Sequence, residues 1–479
     1  MGVLSNLEPQ SVFRFFEEIS AIPHGSGNTK EISDYLVRFA HERNLPYRRD
    51  ELGNVIIWKE ASEGYGEKEP IMLQGHMDMV AVKKPESRID MEKEGLKLVV
   101  EGDRLFAEET SLGGDDGIAV AYELALLDAK ELCHPPLECI FTVDEEIGLI
   151  GAGAIDLSEC KAKRMINLDS EEEGIFLAGC AGGMRVDCRL PWKREEVQGI
   201  SCQITIGGLQ GGHSGVEIHK ERGNANVLAG RFLLYAKQMV RFRLLEICGG
   251  LADNAIPRET RIGLVVADPF ALELAARKFE EMIRQELCTK DPGVFCRFEM
   301  IEPGSFYTVT WEDSLKASAL IGCMPAGVQA NSADVEGLVE TSLNLGLMHS
   351  SEKELTLGFS LRSSYEGAKE GLKNQIFALT ESLGGSSKAT GNYPGWAYRK
   401  ESPLREKMVQ VYEEMYGKKA QVEAIHAGLE CGFFVGKIPQ LDCVSMGPDM
   451  QNIHTTEETM SISSVRRTWE FLCRILQEV

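Results

Sequence analysis

Strand-length apolar runs that stop abruptly at carboxylate, histidine or glycine residues constrain most strongly what this chain can fold into. Ile71-Met72-Leu73-Gln74 leads into Gly75-His76-Met77-Asp78, Leu137–Val143 into Asp144-Glu145-Glu146, and Met165–Leu168 into Asp169. Further polar clusters stand at Gly113-Gly114-Asp115-Asp116-Gly117, Gly211-Gly212-His213-Ser214 and Ile453-His454. Short apolar runs bounded by turn residues read as buried strands. Ligands of open α/β sheets gather beyond the carboxyl ends of their strands. The pattern therefore predicts a sheet that delivers polar side chains to one edge.

Helical spacing fills the intervals. Pro9 opens a helix with Val12, Phe15, Phe16 and Ile19 on one face, and Pro23 closes it. Asn28 is suited to cap a second, with Ile32, Tyr35, Leu36 and Phe39 aligned. An Ala- and Leu-rich helix is expected from about Ile118 to Leu132. With 479 residues the chain exceeds one ordinary core. From about Gly183 the texture changes to strands at Val186–Leu190, Ser201–Ile206, Thr260–Val266 and Glu354–Arg362, interleaved with helices. The expected division is a discontinuous α/β domain, residues 1–182 and 392–479, interrupted by an α+β insertion over 183–391.

The net charge of −23, from 74 acidic against 51 basic side chains, argues against a nucleic-acid backbone or an anionic membrane surface as partner. No apolar run approaches the roughly 20 residues of a membrane span. The start, Met1-Gly2-Val3-Leu4-Ser5-Asn6, lacks the basic-then-apolar pattern of a signal peptide, so the expected location is cytoplasmic. The 13 Cys show no paired Cys-x-x-Cys spacing, which indicates neither a disulfide framework nor a structural zinc knuckle.

Divalent zinc or manganese takes His nitrogen and carboxylate oxygen. In an extended His76-x-Asp78 both side chains share a face, so one can bind metal while the other orients it. Asp115-Asp116 at a helix entrance could be a plain cap. A cap does not explain a turn made almost wholly of Gly and Asp, and either carboxylate is suited to bridge two cations. Acidic clusters such as Asp144-Glu145-Glu146 usually mark solvated loops. Here the useful division of labour is one Glu as ligand and one as general base. Asp169 is a better ligand candidate than the Glu171-Glu172-Glu173 run that follows it. His454 alone reads as structural, and its case rests on completing the set. The Gly211–Gly215 run lacks a following Lys and is no phosphate loop. A His213 on such a turn could instead polarise a carbonyl.

In this order the clusters resemble the M20 family of co-catalytic metallopeptidases, and the likeness runs over essentially the whole chain. It is most specific at Gln74–Val80, Leu112–Gly117, Val143–Gly148 and Ile166–Glu171. The resemblance implies a mixed-sheet zinc-peptidase-like catalytic domain with the insertion as a lid. It implies two divalent ions, zinc with manganese or cobalt as alternatives. His76, Asp115 and Asp169 would hold one and Asp115, Glu146 and His454 the other. Asp78 would orient His76, Glu145 would be the base, and Asp115-Asp116 would be a cis peptide. The family turn is expected as Gly-Ala-Asp-Asn-Gly, so the second carboxylate at Asp116 leaves two candidates for the bridge, with Asp115 favoured by its offset from Leu112-Gly113.

For the substrate, the resemblance implies contacts from His213, in its own subunit or a partner's, and from Asn254. Arg362 and the backbone near Gly428 would take the substrate carboxylate. The implied reaction is hydrolysis of dipeptides of the Xaa-His type with broad tolerance at the first residue. A homodimer through the lid is a further implication. The alternatives are a tripeptide aminopeptidase or a deacylase of N-acyl amino acids, which share the same chemistry. A non-catalytic peptide binder would be expected to lose the base or a ligand, whereas every such position here holds a competent residue.

Overall fold

Ile71–His76, Leu137–Thr142, Arg164–Asn167 and Asp442–Ser445 lie side by side as parallel strands of an 8-stranded sheet. This architecture is that of a computed structural model, which describes residues 2–479. Ile71–His76 and Leu137–Thr142 are buried at every position, which is why they read as unbroken apolar runs instead of alternating ones. Antiparallel strands flank this centre, with Val55–Lys59 beside Leu137–Thr142 and Ile175–Cys180 beside Asp442–Ser445. The four parallel strands share one carboxyl edge, and three of the polar clusters, at His76–Asp78, Asp144–Glu146 and Asp169, lie at or just past the ends of theirs.

Helices Gln10–Ser20, Gly114–Asp128, Pro403–Tyr416 and Ile462–Glu478 bury Phe16, Leu124, Met408 and Phe471 in the core of this sheet. Gly114–Asp128 is buried on all sides, as a helix without a polar face must be. It stops at Asp128, short of the expected Leu132, because Ala129 turns extended. There the Lys59 ammonium donates to the carbonyls of Leu126 and Ala129 at 2.7 and 2.5 Å, satisfying the exposed end. A smaller sheet pairs Leu98–Glu101 with Arg104–Ala107, then Thr459–Ser461 and Met450–Gln451.

The chain divides into two compact units, the first being the chain up to Cys180 with Trp396–Ala424 and Leu429–Val479. The second comprises Ala181–Gly395 and Ile425–Gly428. It is built on a 9-stranded sheet whose long strands Arg194–Gly207 and Phe295–Val309 pair antiparallel. Helices Ala225–Ala236 and Pro269–Glu286 cover it, burying Phe232 and Phe279 edge to face. Each is capped as its sequence requires, by the Asn224 and Asp268 side chains accepting from two amides apiece. Ile425–Gly428, which the sequence division assigned to the first domain, groups with this unit. Its carbonyls at Ile425 and Ala427 both accept the Ala181 amide, at 3.2 and 2.9 Å, and the Tyr393 ring lies against Gly428.

Candidate metal centre

His76 closes its strand in register with Thr142, so the Asp144-Glu145-Glu146 loop leaves the neighbouring strand beside it. Gly75 between them is required by close packing. A Cβ there would stand 2.4 Å from that of Ala119 and 2.6 Å from the Asp116 carboxylate. The same turn needs glycine at Gly113, whose φ is +65° and whose added Cβ would lie 2.7 Å from the Met79 sulfur. The Asp115–Asp116 peptide is cis, and neither residue has helical φ/ψ, so the regular helix starts after them.

Asp115 turns its two oxygens to different histidines: Oδ1 lies 3.0 Å from His76 Nε2 and Oδ2 lies 2.9 Å from His454 Nε2. His76 Nε2 is also 3.8 Å from Asp169, and His454 Nε2 is 2.8 Å from Glu146 Oε1. Potential ligand atoms of Asp115, Glu146 and His454 converge within 4.8 Å of one another. So do those of His76, Glu145 and Glu146, and those of His76, Asp116 and Asp169. The other candidate for the bridge, Asp116, has one oxygen occupied by the His76 backbone N–H at 3.1 Å.

The electrostatics describe a buried excess of carboxylate. Burial pushes Glu145 up to about 8, with Glu430 and Glu146 adding to the rise and His76 opposing it. Burial, then the charge of Asp116, raises Asp169 well above the carboxylate range. For Asp115 burial is outweighed by the hydrogen bonds of His454 and His76, which hold it low. Asp115 and Glu146 in turn lift His454 to about 10. Buried charges of one sign are stable only when paired or when they coordinate a cation. The buried Asp116 Oδ1 takes no hydrogen bond, and the buried Glu146 Oε1 meets only the His454 imidazole. An imidazole and carboxylate donor set with such an orphaned acceptor fits divalent zinc, manganese or cobalt.

Asp78 faces both His76 and the Glu145 loop. His76 Nδ1 lies 2.9 Å from the Asp78 backbone carbonyl and 3.5 Å from its carboxylate. The carboxylate also accepts the amides of Glu145 and Glu146 at 3.0 and 3.3 Å and the Ser26 hydroxyl at 2.8 Å. It therefore ties the Glu145 loop to the residue whose carbonyl and carboxylate both face the His76 imidazole.

The four remaining candidates lie together in the second unit. His213 Nδ1 accepts the amides of Gly215 and Val216 at 3.3 Å each, which leaves Nε2 as the nitrogen that carries a proton on the neutral ring. A Cβ on Gly215 would touch His213, the Arg362 guanidinium and the His426 carbonyl. The Asn254 carbonyl accepts the Ser214 amide at 2.8 Å. Arg362 is 9% exposed and reaches the Tyr393 hydroxyl at 3.3 Å, the ring that also rests on Gly428.

Some carboxylates at the centre were not singled out from sequence. Glu430 is fully buried, accepts from Gln74 and Thr142 at 2.6 Å each, and is pushed by burial to about 7. Glu458 is buried against the Asp115 turn. Neither has a spacing that marks it, because both reach the site through the fold from ordinary acidic contexts.

Residues 72–478 match peptidase family M20/M25/M40. Over 485 residues the chain is 34% identical to the cytosol non-specific dipeptidase of Escherichia coli K12, covering 100% of this chain and 99% of that relative. Among solved structures, the aminoacylhistidine dipeptidase of Vibrio alginolyticus matches with a TM-score of 0.95 at 34% identity, over 100% of this chain and 98% of that one. The aminopeptidase PepT of Bacillus cereus matches with a TM-score of 0.55 at 16% identity, over 98% and 99%, a likeness of fold alone.

Proposed function

The chain belongs to peptidase family M20/M25/M40, and from that premise we propose that it is a cytosolic, two-metal dipeptidase acting on Xaa-His and related dipeptides. The observation that carries this reading is Asp115, whose two oxygens face His76 and His454 separately, with Glu145 and Glu146 converging on His76 and Glu146 also on His454. His76, Asp115 and Asp169 would hold one ion and Asp115, Glu146 and His454 the other. Zinc, or manganese or cobalt in its place, would polarise the scissile carbonyl and acidify the attacking water.

Glu145 would accept the proton of that water and pass it to the leaving amine. Asp78 keeps the Glu145 loop in place through the two backbone amides. In the second unit His213 donates from Nε2 to the carbonyl oxygen as negative charge develops there. Arg362, with the backbone at Gly428, takes the substrate carboxylate, and Asn254 makes a further polar contact. A cation that pairs with the substrate's own carboxylate would favour short peptides that carry one close to the scissile bond. The names of the relatives support dipeptides and the cytosol for this chain too.

The test compares turnover of Ala-His, a tripeptide and an N-acetyl amino acid by the metal-loaded protein. Preference for Ala-His by about tenfold or more in kcat/KM is expected. Preference for the tripeptide or the acylated amino acid would transfer the assignment to an aminopeptidase or a deacylase with the same metal chemistry.

A further inference from the structure

The turn that presents Asp115 has backbone donors with no partner inside the helix it precedes. They are taken by one side chain from far along the chain. Glu458 Oε2 accepts the amides of Leu112 and Gly113 at 2.7 and 3.1 Å, and Oε1 accepts that of Gly114 at 2.9 Å. The Asp115 amide lies at the limit of the same oxygen, 3.5 Å. Successive amides converging on an anion form a backbone nest, and a charged acceptor makes each bond stronger than a neutral one would.

Glu458 is only 3% exposed, and the nest closes tightly round it. A Cβ on Gly114 would stand 3.3 Å from Oε1 and 3.1 Å from the Met450 sulfur. Its own backbone is anchored, because the next residues, Thr459–Ser461, pair with both Met450–Gln451 and Arg104–Leu105. The same short loop carries His454, whose Nε2 faces Asp115 Oδ2 at 2.9 Å. One segment thus grips the Asp115 turn twice, through an imidazole on its carboxylate and a carboxylate on its backbone.

We propose that Glu458 is a positioning residue of the metal centre, fixing the Asp115 turn at the distance from His454 at which one carboxylate serves two ions. This rests on the reading of Asp115 as the bridging ligand. Groups that orient metal ligands without touching the ion influence affinity or activity by about 10–100-fold. Glu458→Ala removes the acceptor from all the amides. Glu458→Gln keeps the shape but offers the nest an NH2 in place of one oxygen. Glu458→Asp keeps the charge and both oxygens on a shorter arm.

The experiment measures zinc affinity by competition with a chromophoric chelator, alongside kcat, KM for Ala-His and thermal unfolding of the metal-free proteins. The expected result is a loss of zinc affinity and of kcat of about 10–100-fold in Glu458→Ala and Glu458→Gln. KM should change less than about threefold, metal-free unfolding should remain cooperative, and Glu458→Asp should recover part of the affinity. Folded Ala and Gln variants with wild-type zinc affinity would overturn the proposal. So would variants that lose zinc only in proportion to their unfolded fraction, or that fail to fold at all, since Glu458 would then serve the fold and not the centre. If the wild-type protein itself bound no zinc, the failure would lie with the metal-centre reading and not with Glu458 alone.

Discussion

Asp78 Oδ1 accepts the backbone N–H of Glu145 at 3.0 Å, fastening the strand end that carries His76 to the loop that carries the proposed base. Both ends of this link are buried or nearly so, and Asp78 itself is 1% exposed. Asp78→Ala is therefore expected to lower turnover or zinc affinity by about 10–100-fold while the protein keeps its circular dichroism. Asp78→Asn, which retains one acceptor oxygen, should lose less. Wild-type kinetics and metal affinity in Asp78→Ala would show that the loop holds its shape without this contact.

Glu145→Gln removes the proton acceptor and keeps the side-chain volume. Turnover should fall by about 10²–10⁴-fold, the range general-base catalysis supplies, while the bound zinc count stays unchanged. Near-normal turnover with both ions in place would move the base elsewhere, with Glu430 the next carboxylate to examine.

Arg362→Ala should cost about 10–100-fold in kcat/KM for Ala-His, the loss of one charge-assisted pair. The amide of the same dipeptide lacks the carboxylate and should be turned over almost equally by both proteins. An equal loss on both substrates would place Arg362 in the fold of its unit, beside Tyr393, and not in carboxylate recognition.

The centre was legible where local sequence and fold coincide. Ile71–Gln74 and Leu137–Val143 announce parallel strands because burial on both faces demands continuous apolar residues, and whatever follows such strands is delivered to one edge. The Gly113–Gly117 turn was legible because glycine is favoured at the φ of +65° of Gly113 and an added Cβ there would press on the Met79 sulfur. Glu458 was not. Its neighbours, Thr455-Thr456-Glu457, describe an exposed acidic loop, and its partners are backbone amides more than 340 positions earlier. Phe295–Val309 escaped for another reason. It pairs along one side only, so much of its length is exposed and charged and shows no apolar run.

His426 gives the second unit a pH dependence of its own. Burial first, then the neighbouring Arg362 charge, lowers its pKa from the ordinary 6.5 to about 3, and its Nε2 lies 2.7 Å from the Ser342 hydroxyl. With the folded value below the unfolded one, protonation favours the unfolded chain. The stability it contributes is complete above about pH 6.5 and is lost as pH falls toward 3. Between about pH 7.5 and about pH 5 the loss should reach about 1–2 kcal/mol in urea unfolding, and His426→Gln should flatten that component. Identical pH profiles for the two proteins would contradict this.

The central claim, that Asp115 joins two ions in one hydrolytic centre, is tested most directly by titrating zinc into chelator-stripped protein while following Ala-His hydrolysis. The stripped protein should be inactive, and activity should rise to its plateau at about two equivalents of zinc per chain. Asp115→Ala should abolish the plateau. Full turnover without metal, or a plateau at about one equivalent that Asp115→Ala leaves intact, would contradict the account.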